Sequence, residues 1–343
     1  MNNNYYNPQN NQYYHQQNAQ YVMMQRQIDH AKKQQRSELV KVGFVLGGAI
    51  IFYLFLQTFW IMILKSLGLM NLYNESTMFK YAFNIVAVDL LALFPAFGIA
   101  ALILRRNFTG ELFPAKKVGA LKGAAWVFFG MGCTILANYF VSIMMVFVKN
   151  VLGYELTQND LGTSNDPLTC IIMIVATVFA PAIFEEFAFR CCTLGALKKY
   201  GKGFAVFMVS IIFGLIHGNV IQFVFAFLVG LILAYITVQT DNVVLAIIIH
   251  GLNNGRSAVN DIISTATDEK TANTVTVIIM IILAVLAVAS LIYLLITRSF
   301  KYEKKIKSLY DNNFGTKLAC MIPGMIIPFG ILIAFTKQYI TKI

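Results

Sequence analysis

Long runs of apolar residues alternate with short polar segments along most of this chain. A helix needs about 20 apolar residues to cross a bilayer, whereas the strands of a membrane barrel would alternate apolar and polar positions. The pattern therefore predicts an all-α fold, a polytopic transmembrane helical bundle of about 8–9 spans. The predicted spans lie near 42–64, 81–104, 119–148, 169–196, 203–218, 220–239, 243–256, 275–297 and 318–336.

The composition agrees with a membrane protein except at the N-terminus. The chain is 58% hydrophobic and 13% charged, with a mean hydropathy of +0.66, whereas soluble domains carry about 25% charged residues. The first twenty residues contain twelve Asn or Gln and four Tyr. Because such a segment cannot build a core, we predict a disordered cytoplasmic tail over residues 1–40. The five cysteines form no CxxC pair and suggest no disulfide framework.

The net charge of +11 is distributed in a way that favours a membrane and not a nucleic acid as its partner. With the N-terminus in the cytoplasm, the cytoplasmic segments hold 19 Lys or Arg and the opposite side holds seven. Cytoplasmic loops of membrane proteins carry this excess. The basic residues therefore indicate anchors near anionic lipid, and the orientation that follows has a cytoplasmic N-terminus.

Several ionisable residues nevertheless lie inside the apolar runs. The segment IFEEFAFR contains Glu185, Glu186 and Arg190, and the two later short spans contain His217 and His250. A charged side chain in the bilayer centre costs about 2.5–3.5 kcal/mol on insertion scales, so such residues indicate function by default. Asp89 in the second span is the exception, since we interpret it as a polar contact between helices.

Helical geometry gives these residues different surroundings. Glu186 and Arg190 are four positions apart and share a helix face, so Arg190 can neutralise Glu186. Glu185 points about 100° away and is freer for chemistry. Pro181, four residues before Glu185, removes an N–H and is expected to open the helix there.

Two kinds of chemistry fit this set of residues. A carboxylate and an imidazole can activate water, while a second imidazole and an amide such as that of Asn254 hold an oxyanion. Alternatively, His217, His250 and one or both of Glu185 and Glu186 could bind zinc with an open position for water. Zinc is therefore a possible cofactor, and the sequence leaves the choice open.

Three short motifs carry a family resemblance. EEFAFR matches EExxxR, FGLIH matches FxxxH, and HGLNN matches HxxxN, in the order found in CPBP intramembrane proteases. That family includes CAAX prenyl endopeptidases and bacteriocin-processing or self-immunity proteins. The resemblance covers roughly residues 119–297 and implies that Glu185, assisted by His217, activates water. It further implies that His250 and Asn254 stabilise the oxyanion, that Glu186 and Arg190 support the site, and that Phe213 packs beside it.

These observations predict an intramembrane endopeptidase in a bacterial cell membrane that cleaves a peptide or membrane-tethered protein near the cytoplasmic leaflet. The predicted divisions are the tail 1–40, N-terminal helices 41–118, a protease core 119–297, and a basic loop with a last helix 298–343. A proton-coupled transporter would use the same carboxylates, but its usual duplicated halves are not evident. A non-catalytic scaffold is the third alternative.

Overall fold

The computed structural model describes residues 8–105, 110–157, 161–300 and 313–343, and almost all of these residues are helical. The helices are α1 Pro8–Ser66, α2 Met70–Glu75, α3 Thr77–Leu104, α4 Ala120–Leu152, α5 Pro167–Tyr200, α6 Lys202–Leu215, α7 Val220–Thr240, α8 Val243–Ala266, α9 Glu269–Ile296 and α10 Phe314–Tyr339. Two short strands, β1 Tyr154–Leu156 and β2 Ile340–Lys342, pair antiparallel. The predicted all-α bundle is therefore confirmed.

Seven helices of the described chain are long and apolar enough to span a membrane, namely α1, α3, α4, α5, α7, α9 and α10. The predicted short spans correspond to α6 and α8. As expected for short elements, α6 is enclosed by its neighbours: Ala205, Val209 and Ile212 are completely buried. The chain is an integral membrane protein. The predicted basic cluster at 301–307 lies outside the described residues.

The N-terminal segment differs from its prediction. Residues 8–40 form the first part of α1, whereas a disordered tail with only a short basic helix before the membrane was predicted. The part from Gln16 to Lys41 is rich in Gln, Arg, Lys and Met, which all have favourable helix propensity. The part of α1 just before the predicted span also contacts α5, where Glu38 forms an ion pair with Lys199. A composition unsuited to a core can thus still continue an adjoining helix.

The last helix packs against the first through glycine. A Cβ at Gly47 or at Gly324 would collide with the backbone of the other helix, so the two backbones approach closely. Small residues permit such contacts between membrane helices. The pair packs into the main hydrophobic core, to which α1 contributes Leu46 and α10 contributes Met321.

Irregular helical turns occur where the site is built. α3 contains a π-helical stretch at Asn84–Leu93, and α5 contains two, at Val175–Phe179 and Phe187–Thr193. Such stretches rotate the following side chains and are frequent at functional sites. In α5 they flank the segment Ala180–Glu186, which carries Pro181 and the two glutamates.

Candidate active site

The two glutamates point into different surroundings, as the helix geometry predicts. The side chain of Glu186 is completely buried and its Oε1 lies 2.8 Å from Nη1 of Arg190. The Glu185 side chain is 16% exposed and lines a cavity of about 480 Å³. The same helix therefore presents Glu186 to a buried cation and Glu185 to the cavity.

His250 connects the two glutamates. Its Nδ1 lies 2.8 Å from Oε1 of Glu186, and its Nε2 lies 3.8 Å from Oε2 of Glu185. Because a carboxylate paired with arginine accepts hydrogen bonds, Nδ1 of His250 carries the hydrogen that it donates to Glu186. This bond fixes the ring and turns Nε2 toward the cavity. The sequence did not predict that Glu186 holds both Arg190 and His250.

His217 lies in the turn after α6, because the helix ends three residues earlier than predicted, at Leu215. Gly218 has φ +69°, a backbone conformation that glycine adopts readily and that ends the helix here. The Nδ1 of His217 lies 2.8 Å from the carbonyl oxygen of Phe213. Since a carbonyl can only accept, Nδ1 is the donor, and in the neutral ring Nε2 is left as an acceptor. His217 lines the same cavity as Glu185.

Asn254 is held by the helix opening at Pro181. Proline has no N–H, so the carbonyl four residues before it, that of Thr177, lacks its usual helical partner. The side-chain amide of Asn254 donates to this carbonyl at 2.9 Å. Asn253 donates in turn to the side-chain oxygen of Asn254 at 3.2 Å. The proline thus creates the acceptor that places the asparagine in the cavity wall.

Phe213 forms the floor between these residues. Its ring centroid lies 5.2 Å from that of His217 and 6.0 Å from that of His250, both edge to face. The guanidinium of Arg190 lies over the same ring, 4.5 Å from its centroid. This stack excludes water from the Glu186–Arg190 pair and closes the cavity on that side.

The cavity occupies the half of the bundle that carries the β1–β2 pair. Its wall includes residues near the end of α1 and near the starts of α3 and α7, and Tyr81 of α3 donates a hydrogen bond to the carbonyl of Gly162 at that end. Glu185 itself lies near the middle of α5. The site therefore lies near the middle of α5, and its cavity extends toward the end of the bundle that carries β1 and β2. The expectation of cleavage near the cytoplasmic leaflet stays a prediction.

Sequence analysis missed part of the cavity wall. Asp89 was interpreted as a contact between helices, but it lines the cavity, as do the polar residues Tyr53, Gln57, Asn84 and Gln222. A carboxyl group inside an apolar span was the available signal. The remaining four lie on helices without a motif, so their positions follow only from how α1, α3 and α7 pack.

The proposed zinc ligands do not form a metal site in this conformation. Among the described residues, no group of three or more His, Cys, Asp or Glu side chains is arranged to hold a metal ion. Glu186 and Nδ1 of His250 bind each other, and Nδ1 of His217 binds a backbone carbonyl. These contacts use Nδ1 of both histidines and leave each Nε2 without a hydrogen bond, so the zinc alternative stays a prediction.

Comparison with known families agrees with the motifs. Residues 167–256 match the family model described as Type II CAAX prenyl endopeptidase Rce1-like. This part of the chain extends from the start of α5 into α8 and includes every predicted site residue. Over this segment the chain is thus similar to that family. No curated protein and no solved structure gave a significant match.

Proposed function

We propose that the protein is an intramembrane endopeptidase that hydrolyses a peptide bond of a peptide or membrane-tethered protein by activated water. The observation that supports this most directly is the pair formed by Glu185 and His250. A partly exposed carboxyl group and Nε2 of a fixed imidazole face the same cavity, 3.8 Å apart. A water molecule hydrogen-bonded to the carboxylate can lose its proton to Glu185 as its oxygen attacks a carbonyl carbon.

The other residues have separate tasks in this proposal. The acceptor Nε2 of His217 orients the attacking water, while the second N–H of Asn254 and the Nε2–H of His250, in its doubly protonated form, donate to the oxyanion. Glu186 and Arg190 do not reach the cavity wall and act by holding the His250 ring. Glu185 then returns its proton to the leaving amine nitrogen, which completes the hydrolysis without a metal step.

The size of the cavity limits which substrates can bind. A cavity of about 480 Å³ accommodates part of an extended peptide and not a folded domain. The substrate is therefore an unfolded or loosely folded segment, tethered to the membrane or small enough to enter it. The family description names CAAX prenyl endopeptidases, and a prenyl group is a candidate feature of the substrate that needs its own test.

Orientation completes the proposal. The basic residues place the N-terminus in the cytoplasm, and in that orientation β1, β2 and the cavity mouth lie on the outer side. Cysteine labelling from outside should therefore modify a cysteine introduced at exposed Asp268 but not one at exposed Gln27. The reverse labelling pattern would mean that the N-terminus lies outside and that the cavity opens toward the cytoplasm.

The test of activity is cleavage of a peptide library by the full-length protein in liposomes. We expect products whose formation depends on Glu185, detected by mass spectrometry. A proton-coupled transporter would instead acidify the liposome lumen upon solute addition without cleaving any peptide. If the folded protein gave neither peptide cleavage nor acidification, the non-catalytic alternative would be favoured.

A further inference from the structure

Asp89 is a second carboxyl group in the wall of the catalytic cavity. It is only 8% exposed and belongs to the π-helical stretch of α3, whose neighbouring positions Leu90 and Leu91 face outward. The cavity is lined by both Asp89 and Glu185. Within the described part of the chain, the Asp89 side chain has no hydrogen bond or ion pair.

Two carboxyl groups, Asp89 and Glu185, line the cavity, and among the described residues only the imidazoles of His217 and His250 could offset their charge. No lysine or arginine of the described residues lines it, and Arg190 lies behind Glu186, outside the wall. The polar side chains nearest to Asp89 in sequence or on the facing helix are neutral: Asn84, Tyr53 and Gln57. Gln57 donates to the Tyr53 hydroxyl at 2.7 Å, so these two satisfy each other in part.

An unpaired carboxyl group in such surroundings is costly. Burial of an ionised or polar group without a partner destabilises a protein, and native proteins pair almost all of them. A cationic ligand entering the cavity would supply the missing partner through a charge-assisted hydrogen bond. The low dielectric of the membrane interior strengthens this attraction relative to water.

We propose that Asp89 is a specificity-determining residue that binds a lysine or arginine side chain of the substrate beside the scissile bond. The inference rests on the proposed peptidase function, since Glu185 in the same cavity defines where that bond lies. Asp89 and Glu185 approach the cavity from different helices, α3 and α5. A peptide between them can place its carbonyl at Glu185 and an adjacent cationic side chain at Asp89.

The first test compares two peptides that differ only in lysine or norleucine next to the cleaved bond. We expect the full-length protein in liposomes to favour the lysine peptide in kcat/KM by roughly 10–100-fold, the range for loss of a charged partner in a binding site. Asp89→Asn should reduce this ratio toward one, whereas Asp89→Glu should keep most of it. Glu155→Gln, which removes a distant exposed carboxylate, is the charge-matched control.

The second test needs no cleavage. Both peptides are labelled with a fluorophore and titrated against Glu185→Gln protein and against the Glu185→Gln/Asp89→Asn double variant. The single variant should bind the lysine peptide more tightly, and the double variant should bind the two equally. This result without any hydrolysis by the unaltered protein would refute the peptidase function but preserve the cation site.

Three outcomes would overturn the inference. One is a lysine-to-norleucine ratio near one for the unaltered protein in both cleavage and binding. This outcome can be read whether or not the Asp89→Asn variant folds. The second is a lysine preference that persists in folded Asp89→Asn protein, since another group would then recognise the cation. A fall in cleavage of both peptides by the same factor would also contradict it and indicate a role in proton transfer.

Discussion

The two sides of α5 at the site show how one helix can serve stability and chemistry with adjacent residues. On the sealed side, Glu186 is completely buried and holds Arg190 and His250 at 2.8 Å each. On the open side, Glu185 is partly exposed and its nearest cationic candidate, His250, is 3.8 Å away. Identical carboxyl groups therefore acquire different roles because one is buried against a guanidinium and an imidazole and the other has room for a substrate.

The largest expected effect separates the open side from the sealed one. Glu185→Gln preserves the shape of the side chain and removes the base, so peptide hydrolysis should fall by roughly 10²–10⁴-fold. The melting temperature should change little, because Glu186, Arg190 and His250 keep their contacts. Cleavage and melting curves measured on the same preparation check both statements. Full activity in this variant would remove Glu185 from the mechanism.

The sealed side should respond in the opposite way. Arg190→Leu leaves Glu186 buried beside His250 alone, which should destabilise the fold by about 3–5 kcal/mol. A lower melting temperature in detergent and reduced expression are the readouts. The double variant Glu186→Leu/Arg190→Leu removes both charges and should recover part of the lost stability without recovering activity. Equal melting of the single and double variants would contradict the burial argument.

A smaller effect is expected outside the membrane, at the start of α5. Asp166 caps the helix and accepts hydrogen bonds from the backbone N–H and the hydroxyl of Thr169, both at 2.8 Å, and these bonds lower the pKa of Asp166. The lowered pKa means that the stabilisation is fully present above the ordinary aspartate pKa and is lost as the pH falls through the lowered value. Asp166→Ala should reduce the melting temperature slightly at neutral pH.

Asparagine provides the matched control for this cap. Asp166→Asn keeps an oxygen that accepts from the backbone of Thr169 but cannot titrate. Its melting temperature at neutral pH should therefore exceed that of the alanine variant, and it should lose less stability between pH 6 and about pH 3 than the parent protein. An identical acid dependence in all three proteins would show that this cap contributes nothing.

The smallest expected change follows removal of metal. Because Glu185 is the base that activates water in the proposed mechanism, a chelator should alter the cleavage rate by less than about twofold. Zinc analysis of the active protein should give well under one ion per chain. One zinc per chain that disappears in His217→Ala would instead support the metal mechanism and require the side chains to rearrange.

The sequence determined the class of fold and the members of the site. Apolar runs long enough to cross a bilayer specify helices wherever they occur, because lipid offers no other partner for the backbone. Spacing of four residues was sufficient to pair Glu186 with Arg190, since helix geometry is local. Pro181 likewise predicted an opened helix. The division into residues 1–40, 41–118, 119–297 and 298–343 stays a prediction, although the family match lies inside the third segment.

Only the tertiary structure decided which partners meet across helices. His250 joins Glu186 to Glu185, and Asn254 bonds to the carbonyl that Pro181 left free, because α8 crosses α5 beside Gly251, where a Cβ would lie 3.7 Å from that of Ala182. Asp89 became part of the cavity because α3 packs beside α5 with a π-helical stretch. Such contacts depend on the relative depth and rotation of whole helices. Apolar sequence leaves these free to vary, since a lipid-facing and a cavity-facing position differ only in what packs against them.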